Sequence, residues 1–440
     1  MTELRALGIA ELAESYARRR CDPVAVADAY LAAIAAQDGA LRSFITVAGE
    51  TARAEAAASR RRWEQNRRLG MLDGVPIAIK DNIDVAGLPC TAGVAAFREN
   101  VPRQDAAVIT SLRQQGAVIL GKLNMHEGAF GATTDNPFYG RCINPVRPGY
   151  TPGGSSGGSG AAVAAGLCIA ALGTDTMGSV RIPAAYCGVF GFKSSNEMVS
   201  TEGVVPLSHT LDSVGVLTRS AADMVIMATA LVRPSADRGA APPTSLAGLR
   251  VGVPRQLAQI NLLPSIATAF DGFIAKLTAI GIVVVPVDLP FWDPGKARRA
   301  GLLVTEAEAA SYYTRQLGPD LAGLSPGFAA MLRYPVQAGP ARIAAAYETI
   351  EAVRLGCLAA FGAVELIASP TAPHTSFPHD TPAPPDQAES SALANLARAP
   401  AVSLPFATDP LPIGMQLMAA PSRDEFLISI TMSLTQALGL

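Results

Sequence analysis

Residues Gly153–Pro183 read GGSSGGSGAAVAAGLCIAALGTDTMGSVRIP. The run opens as a loop in which four glycines surround two serines, a composition that frees the backbone for conformations other residues resist. The small-residue stretch SGAAVAAGL then reads as a helix, CIAALGTD as a strand, and TDTMGSVRIPA as the turn leaving it. Upstream, Val75, Ile77 and Ile79 alternate with Pro76, Ala78 and Lys80, a period-two strand bounded by glycine and aspartate. Between the two lies DAAVITSLRQQGAVILGKLN, a helix followed by the short strand AVIL. Strand and helix therefore alternate through the first half of the chain, which predicts an α/β fold with one extended sheet covered by helices on both faces.

Working outward, Asp22 and Pro23 are helix-start signals, and DPVAVADAYLAAIAAQ and AGETARAEAAASRRRWEQN carry apolar residues at helical spacing, so the N-terminal region reads as a helical layer. Alternation continues downstream with LAGLRVGVPR, PSIATAFDGFIAKLTAIG and IVVVPVDLP. Residues 291–364 are dominated by helical patterns. VELIASPTAP reads as a strand entering the loop PHTSFPHDTPAPPDQAE, a segment of the surface or the rim of a site. LPIGMQLMAAP and SRDEFLISITMSLTQALG add a last strand and helix.

Composition narrows the function classes. The chain has 440 residues, 49% hydrophobic and 16% charged, so it must bury a large core. Net charge is −2, and the densest charge cluster, SRRRWEQNRR, is short, which argues against nucleic acid or an anionic membrane as partner. The N-terminus lacks a secretory apolar stretch, and the apolar run Ala161–Gly173 is too short and too rich in alanine and glycine to span a bilayer. A cytoplasmic protein is expected. Six dispersed cysteines without a CxxC pair fit reduced thiols, and four histidines without ligand spacing give no support for a metal.

Three groups carry chemistry. Lys80 closes an apolar strand on the face of Ala78, where desolvation would lower its pKa and free a neutral amine; a strand-end lysine reaching solvent beside Asp81 fits the same residues. The loop around Ser155 can place a hydroxyl and several N–H groups near a small site. It equally fits a flexible or anion-binding turn, and it lacks the GK[ST] ending of a nucleotide loop. In the third, Thr176, Met177, Gly178 and Ser179 present consecutive backbone N–H groups after a strand, suited to an oxyanion and to a nucleophile. Asp175 and Arg181 flank that turn and are read as bracing it. A serine hydroxyl needs a base, and a buried lysine can supply one without histidine.

With those residues in view, the chain resembles the amidase signature family. The segment from Gly153 to Pro183 matches its defining run, and GVPIAIKDNIDVAGLPCTAG its lysine strand. The similarity extends through GKLNMHEGAFGATTDNP, CGVFGFK, GVVPLSHTLDSVG, ASPTAP and LPIGMQLMAAPSRDE, nearly the whole chain. It implies a single domain over 1–440, with a helical layer (1–67), a catalytic core (68–220) and a substrate-pocket region completing one large mixed, twisted sheet (221–440). It implies an amidase without metal or organic cofactor, acting on a small amide, aryl amide or urea-type molecule. By the resemblance Ser179 is the nucleophile, Ser155 the bridging serine after a cis peptide bond, and Lys80 the general base. Thr176 to Ser179 would hold the oxyanion, and Ala129, Phe130 and Gly131 would line the scissile amide. A homodimer is the family-level expectation.

Departures from the family pattern fall on specificity. Met177 stands where glycine is usual, and Lys193, Ser194, Ser195 replace a lysine, proline, threonine run. His209 occupies a position that is often aromatic, and Arg398 one where a small glycine is common; both are candidate substrate contacts, Arg398 for an acidic or urea-like group. A second reading is the glutaminase (A) subunit of a tRNA-dependent amidotransferase, against which Ile182 follows Arg181 where that subunit typically carries glutamine. From other classes, PIAIK has a superficial likeness to the lysine strand of kinases, without an HRD or DFG run, and a nucleotide-binding or non-catalytic homologue is the remaining alternative.

Overall fold

The computed structural model describes residues 2–233, 245–408 and 410–440. Its centre is an eleven-stranded sheet whose spatial order is Phe44–Val47, Val118–Leu123, Pro76–Lys80, Ala170–Asp175, Ser213–Thr218, Phe190–Lys193, Ala401–Ala407, Ile413–Ala419, Leu366–Pro370, Arg250–Pro254 and Val283–Val287. Pro76–Lys80 runs parallel to both neighbours, with Ile77 opposite Ala170 and Ile79 opposite Leu172. The strands from Ala170 to Thr218 pair antiparallel, so the sheet is mixed as expected.

Strand burial explains the sequence pattern. Every residue of Pro76–Lys80, Val118–Leu123 and Ala170–Asp175 is buried, because helices cover both faces. Val75, Ile77 and Ile79 thus face one layer and Ala78 and Lys80 the other. Asp22 starts the helix Pro23–Leu41 as its sequence signals, its carboxylate accepting from the N–H of Val24 and Ala25 with Pro23 in the first turn. That helix is long and apolar enough to cross a membrane by composition. It instead packs on the core through Val26, Ala27, Tyr30, Leu31 and Ile34.

Two details differ from the sequence reading. The N-terminal layer is not purely helical: Phe44–Val47 inserts as an edge strand antiparallel to Val118–Leu123, four residues being too few for a period to show between two helices. The turn leaving Asp175 runs into a short buried helix, Arg181–Cys187, closed by Gly188 in the left-handed conformation. Three helices, Pro294–Leu317, Pro326–Ala338 and Pro340–Ala360, fill the stretch expected to be helical and pack on one another. A second apolar cluster, including Met125, Phe130, Leu207, Tyr313 and Phe328, lies beneath them.

Candidate active site

Lys80 ends its strand fully buried, and its Nζ donates to Ser155 Oγ at 2.8 Å and to Thr174 Oγ1 at 2.7 Å. Thr174 belongs to the adjacent parallel strand and is itself approached by Asn82 Nδ2 at 3.2 Å. Burial dominates the electrostatics: it lowers the amine from 10.5 to about 7, and Asp212 and Asp175 only partly oppose the drop. The amine is therefore substantially uncharged at neutral pH.

Ser155 follows a cis peptide bond from Gly154. Its carbonyl accepts from the N–H of His126 at 3.0 Å, while the next residue, Ser156, donates its N–H to the carbonyl of Ser179 at 3.2 Å. Those two backbone bonds lock the glycine-rich loop between the 126–131 segment and the turn that carries Ser179. Ser179 is half-buried and lines a cavity of about 430 Å³. No hydrogen bond joins Ser155 Oγ to Ser179 Oγ among the described residues, so the structure brings Lys80 and Ser155 into contact and ties Ser179 to their loop through the backbone.

The turn from Thr176 to Ser179 is held from behind. Asp175 Oδ1 accepts from the N–H of Gly178 at 2.7 Å, and Oδ2 from Val180 at 3.0 Å. Gly178 sits at φ +125°, and a Cβ there would collide with the Ser391 hydroxyl, so glycine is required. Of the four amides expected to receive an oxyanion, that of Gly178 is thus engaged with Asp175, whereas those of Thr176, Met177 and Ser179 have no acceptor among the described residues.

Asp175 and Arg181 form a buried ion pair at 2.8 Å. Burial alone would raise the Asp175 carboxyl, but Arg181, Lys193 and the N–H donors overcome it and hold the group well below the usual carboxylate range. Arg181 also donates to the Ser391 carbonyl at 2.7 Å, to Asn395 Oδ1 at 2.6 Å and to Gln416. With its donors committed, Arg181 braces the turn, the role read for it from sequence, and does not reach the cavity.

Ala129, Phe130 and Gly131 line the same cavity as Ser179. Phe130 is seated against Phe328, with ring centroids 5.9 Å apart. Met177 is on the wall as well; it packs beside Gly301, where a Cβ would come within 2.8 Å of its sulfur. Pro384, Pro385, Gln387 and Ala388 bring the proline-rich loop to the rim.

His209 and Arg398, read as candidate substrate contacts, are not on this cavity. They line a separate one of about 590 Å³ with Asn196, Thr210 and Arg233. The reason for Arg398 is conformational: it sits at φ +56° just past the helix Ala392–Leu396, the left-handed helix-end position where glycine is favoured, and its side chain is exposed. Sequence reasoning missed several residues near the chemistry. His126 lines the cavity, and burial lowers its ring to about 4, so the imidazole is neutral. Asp212 accepts from Thr176 Oγ1 at 2.6 Å and from the N–H groups of Leu207 and Ser208. The long helix Pro294–Leu317 contributes Arg298, Leu302, Thr305 and Glu306. Only the exposure of one face of this helix to a cavity marks these last residues, and spacing cannot show that. Among the described residues no cluster of three His, Cys, Asp or Glu is placed to hold a metal ion.

A family model described as Amidase matches residues 25–428. The chain is 34% identical to the A subunit of the glutamyl-tRNA(Gln) amidotransferase of Anaeromyxobacter sp. (strain K), covering 99% of this chain and 97% of that one. Among solved structures, it superposes with a TM-score of 0.90 on a chain from the structure of a vestigial protein complex that reveals the evolutionary origins of an s-triazine catabolic enzyme, at 31% identity over 99% of both chains. A crystal structure of an amidase superposes equally well, TM-score 0.90 at 30% identity, over 98% of this chain and all of the other, 100%.

Proposed function

The chain belongs to the amidase signature family, and from that premise we propose that it hydrolyses the C–N bond of a small amide, aryl amide or urea-type molecule through an acyl-enzyme on Ser179. The observation that carries the reading is the dry contact between Lys80 and Ser155, one backbone step from Ser179 on an apolar cavity.

The neutral Lys80 amine takes the Ser155 proton as Ser155 Oγ takes the proton of Ser179 Oγ. Ser179 Oγ bonds to the carbonyl carbon, and the carbonyl electron pair moves to its oxygen. The N–H groups of Thr176, Met177 and Ser179 are free to receive that oxyanion, and one such donor is typically worth ~3 kcal/mol in the transition state. Collapse expels ammonia or an amine, which leaves with the proton handed back along Ser155. Water then repeats the sequence on the acyl ester and releases the acid. A cytoplasmic enzyme with a small-molecule amide as substrate and no cofactor completes the proposal.

The 34% identity to an amidotransferase A subunit favours a second reading, the glutaminase component of such a complex. The cavity wall is mostly apolar, with Ile182, Leu207, Leu302 and Met331, and Arg298 on it is paired with Glu389, which leaves the carboxylate of glutamine without a counter-charge. One experiment separates them: ammonia or amine release from a panel of aliphatic amides, aryl amides, ureas and glutamine, by wild type and by Ser179→Ala. Turnover of small amides that the variant lacks is expected. Turnover of glutamine alone, with a second subunit co-purifying, would establish the other reading, and activity persisting in Ser179→Ala would refute both.

A further inference from the structure

On the helix Pro294–Leu317, two carboxylates two positions apart have opposite fates. Glu308 accepts from Thr210 Oγ1 and its N–H, from Ser208 Oγ and from Tyr347 O–H, and these bonds hold its carboxyl low against the effect of burial. Glu306 has no hydrogen bond or ion pair among the described residues, although it is only 7% exposed. It lines the cavity that reaches Ser179. Beside it Thr305, 1% exposed, also lines the cavity with its hydroxyl unpartnered.

A carboxylate that opens only onto a mostly apolar cavity and lacks a partner is costly to ionise, and natural sites keep one when a ligand supplies the missing charge or donors. The other ionisable groups of the cavity do not supply it. Arg298, two turns earlier on the helix, is paired with Glu389 at 3.6 Å. His126 is neutral, and Lys80 lies behind Ser155, where its amine, lowered to about 7, already donates to Ser155 and Thr174. With no partner, burial raises the Glu306 carboxyl to about 7, so above neutral pH it is the unbalanced charge on a mostly apolar wall.

We propose that Glu306 determines specificity by anchoring a cationic amino group of the amide substrate, with Thr305 Oγ1 accepting a second N–H. This deepens the amide-hydrolase reading and rests on it, because the cavity lined by Glu306 is the one that opens on Ser179. The preferred substrate is then an amide that carries a protonated amine on an apolar stem.

The test reads binding apart from turnover. Benzylamine and benzyl alcohol, matched in shape, are titrated calorimetrically at about pH 8 into wild type, Ser179→Ala, Glu306→Gln and Glu306→Asp, where Glu306 is ionised and the probe amine protonated. Benzylammonium should bind wild type about tenfold more tightly than the alcohol, the scale of one charge-assisted hydrogen bond. Ser179→Ala should keep that ratio, Glu306→Asp most of it, and Glu306→Gln should bring the two ligands to parity with alcohol affinity unchanged. Equal affinities in wild type, a preference that survives Glu306→Gln, or its loss in Glu306→Asp as well would overturn the anchor. If Glu306→Gln does not fold, the wild-type ratio and Glu306→Asp decide. Failure of wild type to cleave any amide while the ratio holds would count against the hydrolase reading and leave the anchor standing.

Discussion

Replacing Lys80 by Met should abolish activity and yet make the protein more stable, in a manner that depends on pH. The folded chain holds this amine at about 7 instead of 10.5, so at ~1.4 kcal/mol per unit its burial costs roughly 4–5 kcal/mol of folding free energy near neutral pH. Methionine escapes that cost but removes the Lys80 hydrogen bonds to Ser155 Oγ and Thr174 Oγ1, which takes back about 1 kcal/mol each. A net gain of roughly 2–3 kcal/mol at about pH 7 follows. Between about 7 and 10.5 the unfolded chain binds a proton that the folded chain does not, so wild-type stability rises with pH across this window. The variant lacks the term, and its advantage should disappear by about pH 10. The same shift raises the neutral amine from a few molecules in ten thousand to about half at neutral pH, about a 10³-fold gain in base that the variant forfeits. Urea denaturation of both proteins at the two pH values, with amide turnover alongside, measures all of this. A stability difference that is the same at both pH values would show the amine to be solvated and refute the reasoning.

Three further outcomes follow from the same geometry. Ser155→Ala should fold normally and lose about 10²–10⁴ in kcat, because the proton path from Ser179 to Lys80 is cut; turnover within a few-fold of wild type would mean the relay is not used. Asp175→Asn leaves Arg181 charged and uncompensated in the core and should cost about 3–5 kcal/mol by urea denaturation. Since the Asp175 carboxyl is held well below its ordinary 3.8, that deficit should be constant down to about pH 4 and shrink only in more acid solution. Met177→Ala should open the wall beside Gly301 and raise kcat/KM for bulky acyl chains over acetamide by about tenfold; an unchanged ratio would place the Met177 side chain away from the substrate.

How much of this was legible in the sequence depends on where each residue gets its meaning. The strands Pro76–Lys80 and Ala170–Asp175 announce themselves because both their faces are buried and their ends carry glycine and aspartate. Phe44–Val47 does not, since a four-residue edge strand between helices has no period to read. Ser155 and Ser179 belong to one contiguous motif, and Lys80 to a neighbouring one. Thr174 and Asp212 take their places only when parallel and antiparallel pairing bring residues far apart in the chain together. Glu306 looks in sequence like any acidic residue on a solvated helix face; only the fold places it on a cavity it shares with Phe130 and with Ala383, Pro384 and Pro385 of the proline-rich loop. Arg398 shows the converse, a charged residue whose left-handed backbone position turns it to another cavity.

The account rests on an uncharged lysine activating Ser179 through Ser155. Its most direct measurement is the rate at which a fluorophosphonate labels the protein, followed by intact mass from about pH 5 to pH 9. Wild type should gain one adduct at a rate that climbs with pH and levels off above about 7, Ser179→Ala should gain none, and Lys80→Ala should label slowly without that inflection. Labelling of Ser179→Ala, or a wild-type rate indifferent to pH across 7, would contradict it.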